Sequence, residues 1–295
     1  FDQKLNSPFI MNPSRFAAGM ATTWSVTGSL GTAARSGAGG GDSTDAITFG
    51  GFINGAWTAT AITEEFNGST WSAGGSMSAA RAQGGGGGLS GDAFTAGGAA
   101  STTASEEYNG TSWSAGGALA TGRTNLSSET CKSASDALIF SGHTGSWSTA
   151  TEEYNGTSFS AGGALSSVRG LTGGAISASD ATAMGGHNGT TSVATSEEYN
   201  GTSWSSGGTM AAARRQLGSG ASSSYGYAVA GDTGGTKIKT TETYDGTSFS
   251  SADDISEITN NHSGGVNQST GTAFIAGGQL TAGGDTATTK AEIFT

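Results

Sequence analysis

The chain of 295 residues predicts an all-β fold of repeated four-stranded sheets, on three observations. A phrase recurs at long period: Glu-Glu-Phe-Asn-Gly at 64–68, Glu-Glu-Tyr-Asn-Gly at 106–110, 152–156 and 197–201, and Glu-Thr-Tyr-Asp-Gly at 242–246. Trp71, Trp113, Phe159, Trp204 or Phe249 follows three residues after each of these glycines. Glycine pairs keep the same period: Gly50-Gly51, Gly97-Gly98, Gly185-Gly186 and Gly277-Gly278, with Ser141-Gly142 and Ala230-Gly231 as altered copies. The ends also complement each other. The last repeat stops at Phe294-Thr295 without its Trp, and an unmatched Trp24 stands eleven residues before Arg35, where other repeats have ten between Trp or Phe and Arg. A fixed period of about 40–50 residues is the mark of a repeat array or a propeller.

Each element of a repeat has its own justification, shown by residues 81–117. Arg81 opens a small-residue run, Ala82–Leu89, and Ser90-Gly91-Asp92 turns the chain. Ala93–Ala96 forms a second strand that ends at the glycine pair. After a polar loop, Ser105–Tyr108 and Thr111–Ser114 flank Asn109-Gly110. Asn-Gly between two strand-like runs predicts a type I′ hairpin, in which both central residues take positive φ. The landmarks Phe66, Tyr108, Tyr154, Tyr199, Tyr244 and Phe294 count six units, at spacings of 42, 46, 45, 45 and 50. Four antiparallel strands in about 45 residues is the size of a propeller blade. The expected architecture is a six-bladed β-propeller over residues 21–295, with blades at about 35–73, 81–115, 123–161, 169–206, 214–251 and 259–295. Residues 22–27 complete the last blade and hide its edge. Residues 1–20 hold Pro8, Pro13 and several apolar side chains outside the repeat, and are expected to be an arm or linker.

Composition narrows the class. Leu, Ile, Val and Phe make up only 38 residues and the net charge is −11, a balance that alone would suggest disorder. The phased aromatics argue instead for an ordered core of small residues. The acidic balance disfavours nucleic acid and anionic membranes as partners, and no apolar run reaches membrane-spanning length. Cys131 is the single cysteine, expected to be buried in the innermost strand of the third blade, so no internal disulfide forms. The start at Phe1 suggests a processed product or part of a longer polypeptide.

A Gly-Gly after a strand, then a Tyr, then a Trp, then an Arg opening the next unit, resembles the kelch-repeat β-propeller pattern over about residues 22–295. Phe159 and Phe249 depart from its Trp, and Thr259 stands where the sixth Arg belongs. Repeats so alike and so rich in Gly, Ser, Thr and Ala are similar to kelch-like repeats of viral, notably phage, structural proteins. The resemblance places Arg35, Arg81, Arg123, Arg169 and Arg214 near one mouth of the central channel, where guanidinium could hold carboxylate or phosphate. The opposing reading is that each Arg bonds loop carbonyls or a neighbouring carboxylate. On the same geometry the variable loops after the glycine pairs share that face, with Phe52, Trp57, His143, Trp147, His187, Asn188 and Asp232. Trp57 and Trp147 lie outside the repeated aromatic position and suit stacking against a sugar or a protein, or packing between blades.

Other motifs reduce to structure. His143, His187 and His262 come from three different units without zinc spacing, and no metal or cofactor is expected. The resemblance to the kelch-type galactose oxidase group lacks the histidine pair that its copper radical site needs, and a sialidase Ser-x-Asp-x-Gly-x-x-Trp box does not occur. The pairs Glu64/Glu65, Glu106/Glu107, Glu152/Glu153 and Glu197/Glu198 make no acid/base pair, since adjacent strand residues face opposite ways; they are expected on solvated outer edges, where charge discourages edge pairing. Gly84–Gly88 is no phosphate loop, because no Lys-Ser/Thr and no helix follow; it suits a crowded innermost strand. The sequons at Asn67, Asn109, Asn155, Asn188 and Asn200 are mostly the hairpin turn. The expected function is a non-enzymatic structural and binding module of a virion (phage capsid, tail or fibre) or other extracellular surface appendage. It presents a carbohydrate- or protein-binding face, and the N-terminal arm makes protein–protein contacts with other structural subunits. The alternative is a kelch-type enzyme acting on an anionic sugar, like sialic acid mutarotases.

Overall fold

A computed structural model describes residues 23–53, 57–126, 133–174, 177–257, 259–267, 271–280 and 286–295. The fold is all-β and antiparallel; among the described residues the only helical element is a short 3-10 turn, Ala99–Ser101. Six larger sheets follow the repeat. Sheet I contains Ala38–Gly41, Ala46–Phe49, Thr63–Phe66 and Trp71–Ala73. Sheet II contains Gly85–Leu89, Asp92–Ala96, Ser105–Tyr108 and Trp113–Ala115. Sheets III (Ala137–Phe140, Thr151–Tyr154, Phe159–Ala161) and IV (Ala181–Met184, Thr195–Tyr199, Trp204–Thr209) have three strands each among the described residues. Sheet V has Gly218–Ala221, Gly226–Asp232, Lys237–Tyr244 and Phe249–Ala252. Sheet VI joins Ser263–Asn267, Thr272–Ala276 and Ala291–Phe294 to Trp24–Val26, with Trp24 opposite Phe294 as expected. The innermost strand expected for sheet III includes residues 127–132 and Cys131, which lie outside the described residues, as does the arm over residues 1–20.

The hairpin turn differs from the expectation. Gly68, Gly110, Gly156, Gly201 and Gly246 have φ of 86–89°, but the preceding Asn or Asp does not take positive φ. The turns span four residues, such as Asn109–Ser112, between the paired Tyr108 and Trp113. Asn109 Oδ1 accepts from the amides of Thr111 (3.0 Å) and Ser112 (2.9 Å). The Asn side chain thus imitates a backbone turn, and only its glycine needs the left-handed region.

The sheets depend on one another for polar satisfaction. Tyr108 of sheet II donates to Glu65 of sheet I at 2.5 Å and accepts from Gly75 N at 3.0 Å. Tyr154, Tyr199 and Tyr244 make the same reach to Glu107, Glu153 and Glu198 of the sheet before them. Burial, with the Glu accepting the proton, pushes Tyr199 and Tyr244 up to about 12. Where the landmark is Phe, the acceptor vanishes too: Thr243 precedes Phe294, and Ile293 packs in the cluster that holds Phe66. The outer aromatic obeys a second rule. Trp113, Trp204 and Trp24 donate Nε1 to Thr63, Thr151 and Thr241 of the previous sheet, at 2.9–3.1 Å. Phe159 and Phe249 follow sheets that carry Ser105 and Ser196 at this register, whose hydroxyls turn to Gly117 and Gly208 carbonyls. Trp71 follows the register of Ala291, and its buried Nε1 has no partner among the described residues.

Apolar plugs add to the seams. Leu30, Met77, Leu119, Leu165, Met210 and Ile255 are buried, one before each unit. Their amides donate to Thr289, Ala61, Thr103, Thr149, Ala194 and Lys239 carbonyls of the preceding unit. Burying such a side chain contributes roughly 1.5–3 kcal/mol. The innermost strands crowd closely, as the glycine run suggested: a Cβ on Gly40 would lie 2.3 Å from Gly88 N.

The vacancy at Trp71 gives a test. Ala291→Thr should raise unfolding free energy by about 1 kcal/mol by supplying the missing acceptor, while Thr63→Val should lower it by about 1–3 kcal/mol by orphaning Trp113. Urea titrations of both variants measure the pair.

Candidate functional site: a loop face around a carboxamide-lined mouth

The arginines do not line an open mouth. Arg81, Arg123, Arg169 and Arg214 are buried, and each bonds within its own unit. Arg123 Nη1 donates to Ser141 and Ala150 carbonyls (3.0 and 2.9 Å), and Nη2 pairs with Glu152 at 2.7 Å. Arg81–Glu106 (3.0 Å), Arg169–Glu197 (2.6 Å) and Arg214–Glu242 repeat the pair. Burial pulls Arg123, Arg169 and Arg214 below their ordinary range, and the paired Glu opposes that. The backbone of the same residue serves the previous unit: Gly51 N donates to Arg81 O, Gly98 N to Arg123 O, Gly142 N to Arg169 O and Gly186 N to Arg214 O. Each Arg therefore rivets two units.

The first Glu of each pair corrects the solvated-edge expectation. Glu64, Glu106, Glu152 and Glu197 are buried, as are Glu242 and Glu292. Their second carboxylate oxygen accepts an amide ahead of the unit, such as Ala120 N on Glu152 at 2.8 Å. The second Glu of each pair is the tyrosine acceptor described above. Neither is idle charge, although the adjacent residues do face opposite ways.

Arg35 is out of register with the other four. Gly278 N donates to Ala34 O, so Ala34 occupies the rivet position and Arg35 sits one residue further, where Arg215 also stands. The eleven-residue spacing after Trp24 was the sequence signal. Glu64 consequently accepts Gly31 N (2.6 Å) and Thr32 N (2.9 Å). The Arg35 guanidinium lies 4.3 Å from the Trp57 ring centre and 5.7 Å from Phe52. Trp57 is 64 % exposed and meets Phe52 edge-on at 5.1 Å. Arg35 and Phe52 thus hold a large indole at the surface.

The variable loops lie beside the residues that open each unit, through bridges such as Arg35–Phe52, Thr124–His143, Gly170–His187 and Arg215–Asp232. Trp147 lies between His143 (5.0 Å) and His187 (5.4 Å) and over Gly170, where a Cβ would come within 2.2 Å of its ring. It is a half-buried wedge between two loops. Burial, helped by Arg215, pulls His187 below its usual range. Asn188 caps its own turn by accepting Thr190 N (3.0 Å) and Thr191 N (2.9 Å). Asp232 pairs with Arg215 at 3.3 Å. Among the described residues no cluster of three or more His, Cys, Asp or Glu could hold a metal.

One feature of the loop side was not foreseen from the sequence. A cavity is lined at one repeat position by Ser36, Gln83, Asn125, Leu171, Gln216 and Asn261. All six are non-glycine residues at φ of 51–57°. Their backbones pass hydrogen bonds from unit to unit: Gln83 N to Ser36 O, Leu126 N to Gln83 O, Leu171 N to Asn125 O, Gln216 N to Leu171 O, Asn261 N to Gln216 O and Ser36 N to Asn261 O. The series begins and ends on Ser36. Its signal, visible only when the repeats are aligned, is a polar residue two places after the rivet in five of the six units, with Leu171 in the other.

Two outcomes follow. Arg123→Ala should cost about 3–5 kcal/mol by stranding buried Glu152, with the loss read in urea titration. His262 is buried beside Gly218, both ring nitrogens lack partners among the described residues, and burial pulls it down to about 4. The unfolded chain, near 6.5, takes the proton first, so stability should fall as pH drops from about 6.5 to 4, by on the order of 3 kcal/mol. His262→Leu should flatten the urea midpoint over that window. No protein-family model matches the chain, and no curated protein matches it.

Proposed function

We propose that the six sheets are the blades of a kelch-like β-propeller clasped by its N-terminal strand, and that it is a non-enzymatic binding module. Three features support the propeller: the amide series that returns to Ser36, the pairing of Trp24 with Phe294, and the bonds from Leu30 to Thr289 and from Gly278 to Ala34. The module presents the loop face to a glycan or a protein, as a component of a virion or another extracellular surface appendage. The polar small-residue composition and the near-identity of the units suit a rigid displayed scaffold. The observation that carries the binding reading is Trp57, exposed yet fixed from below by Arg35 and Phe52. A rigid indole loses little conformational entropy on contact and supplies a large apolar face. An enzyme working on an anionic sugar through arginines gains no support, because Arg81, Arg123, Arg169 and Arg214 are spent in buried ion pairs.

Trp57→Ala should leave the melting temperature within about 2 °C, as for a surface change, and should remove binding to immobilised glycans or to the host-surface protein fraction. Retained binding would place the contact elsewhere.

A further inference from the structure

We propose that the carboxamide-lined mouth is a recognition site for a neutral, polyhydroxylated sugar end group. This deepens the binding-module reading and rests on it. The argument begins with conformational cost. Ser36, Gln83, Asn125, Leu171, Gln216 and Asn261 all sit in the left-handed region, where glycine is the unstrained choice. At the first position of the glycine pair, also left-handed, glycine fills four units (Gly50, Gly97, Gly185, Gly277) and Ser141 and Ala230 the other two. At the mouth the chain keeps a side chain in every unit, and five of the six are hydroxyl or carboxamide. Six of the ten non-glycine residues with positive φ among the described residues gather there, and clustered strain is a marker of function.

The chemistry of the lining selects the ligand. None of the six carries charge. Gln83 Oε1 accepts from Thr124 at 3.2 Å and Gln216 Oε1 from Asn260 at 2.9 Å, which fixes both amides from the outside. Their NH2 groups remain as donors. Asn125 adds a donor and an acceptor on one amide, and Ser36 a hydroxyl of both kinds. A set that mixes donors and acceptors without charge matches hydroxyl groups, each of which also does both. A carboxylate would find no Lys or Arg among the lining residues. The cavity, about 50 Å³, has room for a few water-sized groups, so it takes the hydroxyl-bearing edge of an end group and leaves the rest of the ring and glycan outside.

The test uses glycine, which fits the backbone and removes only the side chain. Asn125→Gly and the double variant Gln83→Gly/Asn125→Gly are compared with the unchanged chain by saturation-transfer NMR and calorimetry. The probes are a panel of neutral methyl glycosides and sialyllactose. The expected result is binding of a neutral glycoside by the unchanged chain, weakened at least ~10-fold in the double variant, about one hydrogen bond's worth or more. The melting temperature should hold or rise as strain is relieved. Undiminished binding in the double variant would overturn the mouth as the site while leaving a sugar-binding face intact. A fall in melting temperature with unchanged affinity would make the side chains structural and overturn it as well. Preference for sialyllactose would overturn the neutral class, and no binding of any probe would remove both this site and the glycan reading beneath it.

Discussion

The structure depends on a constraint of incompleteness: no sheet satisfies its own polar groups. A tyrosine hydroxyl needs the carboxylate of the sheet before it, an indole N–H needs that sheet's threonine, and an arginine joins its own unit by side chain and the previous one by backbone. In a core short of Leu and Val, these directed bonds replace bulk hydrophobic burial as the source of specificity. A buried donor without its acceptor costs more than the bond returns, so each sheet admits few alternative neighbours. The carboxylates that sequence patterning assigns to solvent are the fittings of this arrangement.

Much of the fold was legible because aromatics and glycines held phase. The strand order within a unit, the pairing of Trp24 with Phe294 and the crowding of the glycine-rich strands all follow from that periodicity. The turn was misread because Asn-Gly dominates two-residue hairpins. Here a Ser-Thr or Thr-Ser pair lengthens the loop, and the Asn or Asp side chain replaces a second left-handed residue. The Glu pairs were misread because alternation describes direction but not depth. A strand between two sheets buries both of its faces, and nothing local to Glu106-Glu107 declares that a Tyr and an Arg wait there.

The site was less legible than the fold. Arg81, Arg123, Arg169 and Arg214 do recur at one register, but they are spent in buried ion pairs, because spacing reveals recurrence and not partners. The register slip at Arg35 shows the reverse case: one extra residue, countable in the sequence, sets a buried guanidinium against the ring of an exposed indole. The mouth escaped notice because its six residues share a backbone conformation and not a residue type.

The indole rule also sets a parity. Sheets II and IV bring Trp backward and offer Ser forward; sheets III and V bring Phe backward and offer Thr forward. Neighbours from II to V therefore fit only in alternation. Excising or duplicating a single one would set Trp against Ser or Phe against Thr, whereas a couplet of about 90 residues preserves every match. The smallest piece that can be copied or removed between sheets II and V without stranding an indole is therefore a couplet of sheets, not a single one.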